Sequence, residues 1–349
     1  MISFLEAYRD ISPISFESTW ESPSNIAFVK YWGKKGHQIP ANPSLSMALS
    51  ECRTTTKTIF AAADRLTVSL KLEGQNNDRF AKKIQIYLES LSVDLPWILN
   101  LSVLIETSNT FPHGAGIASS ASGLSAFALT LTDYLSFLKP NASESLFFQR
   151  ASYLSRLASG SACRSVFGGF SCWGESEFSG STNEYAIPLE VHSELSTLND
   201  TVLVISGTEK NVSSRTGHER MSDHFFAESR FTQAKTHFSR CVSTLKSGDV
   251  EALGLVLESE ALSLHAMMLT SPNPYTLLKP KTLSAIEAVW DFRQQTKIPL
   301  YFTLDAGPNL HLIYPDSHKH KIQQFITSEL GHLCEKILFD RTGDGPKKC

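Results

Sequence analysis

The residues best suited to chemistry fall in five short segments of the 349-residue chain. Pro112-His113-Gly114-Ala115-Gly116-Ile117-Ala118-Ser119-Ser120 places two glycines and two hydroxyls ahead of an apolar helical pattern. Glycine lets backbone N–H groups approach an anion closely, and the N-terminus of a helix carries partial positive charge. Ser119 and Ser120 are placed to add hydroxyl contacts to a phosphate or to a bound Mg²⁺. The segment is not a Walker A loop, which ends in G-K-[ST]. Nor is it a dinucleotide fingerprint, because Ser119 stands where the third glycine belongs. A tight helix entry without a ligand has the same composition.

Cations supply the second element. Lys30-Tyr31-Trp32-Gly33-Lys34 follows an apolar run, and long cations are rarely buried without a partner. Arg164 sits among small residues in S-G-S-A-C-R-S-V-F-G-G (159–169), which would let a ligand come close; Arg suits bidentate binding of carboxylate or phosphate. Residues 209–218 hold Lys210 and Arg215 with Ser213, Ser214 and Thr216, equally an anion site or a solvated loop. Asp305 ends a β-like run inside a Gly-Pro turn, where a carboxylate either caps the turn or serves as a base toward a hydroxyl. His218-Glu219 lacks the second histidine of a zincin, no G-x-S-x-G elbow occurs, and the eleven histidines form no evident metal cluster.

These segments need elements to hold them. A polar β-like stretch at 16–21 runs through Ser22-Pro23-Ser24 into the apolar, β-branched residues 26–29, which predict a strand ending at Lys30. Leu66, Val68, Leu70 and Leu72 alternate at period two before a helical piece near 80–91, so several strands with one crossing helix are expected. Ile117, Ala121, Leu124, Ala128, Leu131, Leu135 and Leu138 recur at intervals of four and three, one stripe on a long helix opened by the glycine loop. Asn141, with Glu144 three residues on, is expected to cap the next helix, 142–158. The second half predicts a strand at 201–206 and helices over 223–245, 250–268 (capped by Asp249) and 282–295. Strands at 299–304 and 310–314 flank the Asp305 turn; a helix near 319–330, a strand near 336–339 and a terminal turn at 343–346 complete the chain. Mixed elements without strict alternation point to an α+β fold of two lobes divided near residue 195.

Composition sets the outer limits. Lys+Arg 32 against Asp+Glu 35 gives a net charge of -3, which excludes a broad basic face for nucleic acid. Any anion must be met by a few placed cations. The apolar stretch 124–138 is interrupted by Ser125, Thr130, Thr132, Asp133 and Ser136, so no membrane span is expected. Glu6, Arg9 and Asp10 do not fit a secretory signal, and a cytoplasmic location is expected. Cys52, Cys163, Cys172, Cys241, Cys334 and Cys349 are scattered without a C-x-x-C pair and read as small buried or incidental thiols.

Seven motifs then carry a resemblance: N-I-A-F-V-K-Y-W-G-K (25–34), P-A-N-P-S-L-S (40–46), G-A-G-I-A-S-S-A-S-G (114–123), S-G-S-A-C-R-S-V-F-G-G-F (159–170), V-S-S-R-T-G (212–217), F-T-L-D-A-G-P-N (302–309) and T-G-D-G-P (342–346). Together and in this order they resemble the mevalonate diphosphate decarboxylase family of the GHMP kinase superfamily. The resemblance implies a two-lobed GHMP kinase fold with a deep cleft. Its ribosomal protein S5 domain 2-like N-terminal lobe would cover 1–195, with the phosphate loop at 112–120, and its ferredoxin-like C-terminal lobe 196–349. It implies ATP and Mg²⁺ as co-substrate and cofactor, and mevalonate 5-diphosphate as the substrate that is phosphorylated on its 3-hydroxyl and decarboxylated to isopentenyl diphosphate. Gly114, Ala115, Gly116, Ala118, Ser119 and Ser120 would surround the ATP phosphates, with Ser120 catalytic and at the metal. Asp305 would act as base, Lys30 beside it would stabilise charge, and Arg164 would hold the substrate carboxylate. Ser214 and Arg215 would bind the diphosphate, while Tyr31, Lys34, Ser161 and Ala162 complete the pocket. A cytoplasmic homodimer serving isoprenoid biosynthesis is also implied.

Three features depart from the pattern: His218 where many members have Met, His113 where a small residue is usual, and about 15 residues before the usual start. Relatives acting on mevalonate 5-phosphate share most of the motifs. A ligand sensor of the same fold, or an unrelated structural protein, are the readings outside enzymology; retention of Asp305, Lys30 and Arg164 argues against the sensor.

Overall fold

A computed structural model describes residues 4–36, 38–112, 119–140, 143–207 and 212–349. The apolar run before Lys30 belongs to β1 (Phe16–Val29), which continues through Pro23 and joins the two segments expected separately. After a small hairpin, β2 (Lys34–Lys35) and β3 (Ile39–Pro40), comes β4 (Ser44–Ala62), antiparallel to β1 from Phe16↔Phe60 to Val29↔Leu45. The pairing shifts register between Pro23 and Asn25 and again between Ala27 and Val29. Proline cannot donate to the ladder, and an irregularity there keeps the strand while bending it.

β5 (Thr67–Leu72), β6 (Gln75–Asn76), α1 (Asp78–Leu91) and β7 (Leu101–Asn109) follow, β7 lying between β4 and β5. α2 (Ser119–Leu138) and α3 (Glu144–Ala158) pack on the sheet, with Phe127, Leu131, Tyr134, Leu135 and Leu154 in one core with Phe60, Val103 and Ile105. The cap of α3 is Ser143, whose Oγ accepts the Leu146 N–H at 3.3 Å. The expected cap, Asn141, lies outside the described residues, and Ser143 occupies the N-cap position directly before Glu144. A 3₁₀ stretch over Gly160–Val166 replaces the expected loop and leads to β8 (Phe170–Trp173) and β9 (Ile187–Leu189), which extend the first sheet to eight strands.

β10 (Asn199–Val204) opens the second half, followed by α4 (Ser214–Glu219), α5 (Ala227–Ser247), α6 (Val250–Leu269), α7 (Pro280–Thr296), β11 (Tyr301–Thr303), β12 (Leu310–Tyr314), α8 (Lys319–Phe325), β13 (Lys336–Arg341) and β14 (Lys347–Lys348). Strands β11-β12-β10-β13 form a four-stranded antiparallel sheet. α5 begins four residues later than its periodicity suggests, because His224 Nδ1 accepts the Phe226 N–H at 3.0 Å and holds a turn there. Asp249 caps α6 as expected, its Oδ1 accepting from Ala252 N–H at 2.9 Å.

The two halves share a core. Phe28, Val29, Leu45 and Met47 of the first sheet pack with Val202, Phe238, Cys241 and Leu257 of the second half. The tail returns to the first sheet: Thr342 bridges to Leu49 and β14 pairs with β1. The terminal glycines permit this. A Cβ on Gly343 would lie 2.4 Å from the Leu49 backbone, and one on Gly168 2.3 Å from Gly345 N. Arg53 fastens the tail through the carbonyls of Asp344 and Gly345. α6 is long and apolar enough to cross a membrane by length and composition, with mean hydropathy 1.3, yet 56% of that window is buried and it carries Glu258 and Glu260 in ion pairs.

Candidate active site

β1 stops at Val29 and hands the chain to Lys30 at the seam of the two halves; β11 ends two residues before Asp305. Lys30 Nζ lies 2.9 Å from Asp305 Oδ1 and donates to the Ala27 carbonyl at 2.6 Å. Thr303 Oγ1 donates to that same carbonyl at 3.4 Å, which ties β11 to β1 beside the pair. Lys30 is buried, 2% exposed, whereas the Asp305 side chain is 28% exposed and so faces accessible space. Burial pushes the Lys30 ammonium below its ordinary pKa, against the opposing pull of Asp305 and the more distant Glu260; Arg164 adds to the lowering.

Arg164 is fully ordered by side chains rather than exposed on a loop. It is 2% exposed, its Nε donates to Ser46 Oγ at 2.9 Å, and its Nη1 donates to Ser44 Oγ. Ser44 and Ser46 point to one face because strand side chains alternate. Among the described residues Nη2 has no partner. Burial lowers the Arg164 pKa, countered by Cys163, Asp305 and Tyr31. Asn25 braces the 3₁₀ stretch through Ser165 Oγ at 2.7 Å, and Asn42 Nδ2 donates to the Lys30 carbonyl at 3.0 Å. The centre thus combines two buried cations with one partly open carboxylate, an arrangement suited to a polyanionic ligand with a proton to give up.

Tyr31 stands between Trp173 and His218, with ring centroids 4.8 and 4.3 Å away, and donates to Gln38 Oε1 at 3.3 Å. Gly160 is required here, since a Cβ would meet the Tyr31 ring at 2.7 Å. Ser161 is half-buried in the same stretch. Ala162 is 0% exposed and its N–H is already given to the Ser159 carbonyl at 2.9 Å, so it supports the pocket from behind instead of lining it. α4 presents Ser214 and Arg215, both exposed. Burial lowers the pKa of half-buried Lys34, and Arg215 lowers it further, which places these two cations near each other.

His218, on α4, accepts the Gly33 N–H at Nδ1, 3.0 Å away. That bond requires an unprotonated Nδ1, consistent with burial, then Lys34, pushing the imidazole well below its ordinary pKa of 6.5. Gly217 must be glycine because a Cβ would lie 2.3 Å from the Trp32 ring.

Ser119 and Ser120 occupy the first turn of α2, half-buried and exposed respectively. The turns behind them are fixed by Ser122 Oγ to Thr54 Oγ1 at 2.7 Å and by Ser125 Oγ to Ser22 Oγ at 2.5 Å. Gly114, Ala115, Gly116 and Ala118, with His113 and Lys210, lie outside the described residues. Among the described residues no group of three or more His, Cys, Asp or Glu could hold a metal ion. The exposed hydroxyl of Ser120 is an oxygen donor of the kind that Mg²⁺ accompanied by phosphate oxygens and waters accepts. A cavity of about 520 Å³ near Phe178, Pro188 and Lys246 contains none of these residues.

Residues that sequence reasoning passed over also matter. Ser44 and Ser46 hold Arg164. Glu260 and His265, both on α6, contact Lys30 and Asp305 through the backbone.

Two α+β lobes with a buried Lys paired to a partly open Asp and a buried Arg at their seam define a protein of the GHMP kinase type. Comparison with known proteins narrows the class. Residues 22–186 match the diphosphomevalonate decarboxylase-like N-terminal domain, and residues 201–347 the mevalonate 5-diphosphate decarboxylase C-terminal domain. A diphosphomevalonate decarboxylase of Gibberella zeae is 30% identical over 323 residues, 86% of this chain and 81% of its own. The mevalonate diphosphate decarboxylase of Enterococcus faecalis superimposes with a TM-score of 0.82 at 27% identity, over 96% of this chain and 99% of its own. A solved complex of MDDEF with MVAPP, AMPPCP and magnesium gives 0.84 at 28% identity over the same shares, 96% and 99%. The chain belongs to the mevalonate diphosphate decarboxylase family.

Proposed function

We propose that the protein converts mevalonate 5-diphosphate and ATP to isopentenyl diphosphate, CO₂, ADP and phosphate, a step of the mevalonate route to isoprenoids. The observation that carries this reading is the Lys30–Asp305 pair, 2.9 Å apart, at the seam where buried Arg164 is also held. The solved relative that binds MVAPP, AMPPCP and magnesium supports the same ligand set here.

Asp305 accepts the proton of the tertiary 3-hydroxyl as that oxygen attacks the γ-phosphorus of ATP. Lys30 orients the carboxylate and offsets negative charge on the transferring phosphoryl group. Ser119, Ser120 and the N-terminus of α2 meet the ATP phosphates. Ser120 would help hold Mg²⁺, which when bound would supply charge neutralisation on those phosphates. Arg164, anchored by Ser44 and Ser46, has Nη2 left for the substrate carboxylate and fixes it in line for fragmentation. The C3–O bond then breaks, releasing phosphate, while the electrons of the C1–C2 bond become the alkene and CO₂ departs. Lys34, Ser214 and Arg215 bind the diphosphate, with Tyr31 and Ser161 along the wall.

Purified protein with Mg²⁺, ATP and either mevalonate 5-diphosphate or mevalonate 5-phosphate tests the reading. CO₂ and ADP in equal amounts from the diphosphate support it; ADP alone would make the protein a kinase, turnover of only the monophosphate would reassign the substrate, and no product from either would sink the enzyme reading. On the resemblance alone we also propose a cytoplasmic homodimer with lobes meeting near residue 195, which light scattering, cell fractionation and limited proteolysis measure.

A further inference from the structure

The catalytic pair is held from behind by one helix. Glu260 is 0% exposed; its Oε2 accepts the Lys30 backbone N–H at 2.8 Å and Arg230 Nη2 at 2.6 Å, and its Oε1 meets His237 Nδ1 at 2.7 Å. A buried carboxylate is costly unless fully paired, and apolar packing of the same volume is often as stable. Arg230 and His237, both from α5, hydrogen-bond the carboxylate, and Arg230 supplies the opposing charge; the Lys30 N–H is what the carboxylate reaches in the active site. His265, 2% exposed, lies with Nε2 3.2 Å from the Asp305 carbonyl. A carbonyl only accepts, so Nε2 carries the proton. The helix bearing both residues is pressed onto the strand that delivers Asp305: a Cβ on Gly254 of α6 would lie 2.1 Å from the Tyr301 ring of β11.

We propose that Glu260 and His265 are positioning residues that set the Lys30–Asp305 separation through α6, one holding the backbone of the lysine and the other the backbone of the aspartate. The inference rests on the decarboxylase reading, because it assigns the pair its task. Neither residue touches substrate. Their effect falls on the alignment of the pair and hence on the chemical step rather than on ligand binding.

The test compares His265→Ala with His265→Gln, whose amide nitrogen can replace Nε2 as donor, and adds Glu260→Gln, which keeps an acceptor for the Lys30 N–H. In His265→Ala, kcat falls roughly tenfold or more while KM for ATP and for mevalonate 5-diphosphate changes by less than about twofold. His265→Gln regains most of the loss, and Glu260→Gln retains most of the wild-type rate. The basic limb of the kcat/KM profile moves to lower pH in His265→Ala, because Lys30, faced by Asp305, Glu260 and Arg164, loses part of the charge that opposes its desolvation. A crystal structure of that variant shows Lys30 Nζ and Asp305 Oδ1 beyond hydrogen-bond distance. Wild-type kcat with an unmoved basic limb in His265→Ala overturns the proposal, as do equal losses in the Ala and Gln variants with the pair still bonded. Inactivity of the wild type with either mevalonate ester would instead overturn the decarboxylase reading, and the Lys30–Asp305 distance would still decide whether His265 positions the pair.

Discussion

The two ends of the site are built differently. At the end proposed for catalysis Lys30 and Arg164 are each 2% exposed, Arg164 fixed by two serines of β4 and Lys30 by a carbonyl of β1 and the carboxylate in the turn after β11. At the end proposed for the diphosphate, Arg215 and Ser214 ride on the six-residue α4, exposed, with Lys34 close enough for Arg215 to add to the lowering of its pKa by burial. Chemistry needs alignment within fractions of an ångström, so ordering the groups before substrate arrives is favoured there. Binding a solvated diphosphate needs local positive charge, and like charges left unpaired in the free protein gain most when an anion arrives. Low net charge and a strongly cationic site coexist because the charge is local.

That contrast predicts a gradient of mutational effects. Asp305→Ala lowers kcat by about 10³ with ATP affinity retained, measured by coupled ADP release and by nucleotide titration. Lys30→Met costs about 10² in kcat but folds, since Asp305 is partly open to water and can be solvated alone. Arg164→Lys cannot reach both Ser44 and Ser46; losing a charged hydrogen bond worth about 1.5–3 kcal/mol lowers kcat/KM roughly 10- to 100-fold. Arg215→Ala, at the exposed end, raises KM for the diphosphate by only about two- to fivefold and weakens its salt dependence, with kcat unchanged. A collapse of kcat in Arg215→Ala would erase the distinction between the two ends.

The smallest effect falls on His218, and it is read in pH. Its folded pKa lies below the ordinary 6.5, so the unfolded chain binds more protons as pH drops below that value. Stability is therefore complete above about pH 6.5 and is lost as the pH falls below it. His218→Met removes this dependence, giving a flatter melting temperature between pH 7 and pH 4, while the lost bond to the Gly33 N–H costs about 1 kcal/mol at neutral pH. An unchanged slope would show that His218 titrates normally in the folded protein.

The reacting groups were legible because their neighbours in sequence constrain them: Lys30 at a strand end, Asp305 in a turn, Arg164 among small residues. What supports them was not. Ser44 and Ser46 follow period two on β4, a signal that was available once β4 was placed, but the facing Arg164 is 118 residues away from Ser46. Glu260 and His265 were hidden by the apolar periodicity of α6, in which a buried polar residue looks like an interruption of the stripe. The terminal T-G-D-G-P read as a turn, and only its backbone packing against Gly168 and Leu49 explains why glycines stand there. Long-range partners leave no local pattern. The α3 cap shows the same limit at short range, since Asn141 and Ser143 are both competent caps and the position next to the first helical residue decided.

The central claim is that Asp305, held by Lys30, takes the 3-hydroxyl proton before carbon dioxide is lost. Rapid quenching of a single turnover with γ-labelled ATP and carboxyl-labelled mevalonate 5-diphosphate, in wild type and Asp305→Asn, tests it most directly. Wild type is expected to form ADP no later than CO₂, and Asp305→Asn to bind both substrates while forming neither product at more than about a thousandth of the wild-type rate. Wild-type ADP and CO₂ bursts in Asp305→Asn would contradict it.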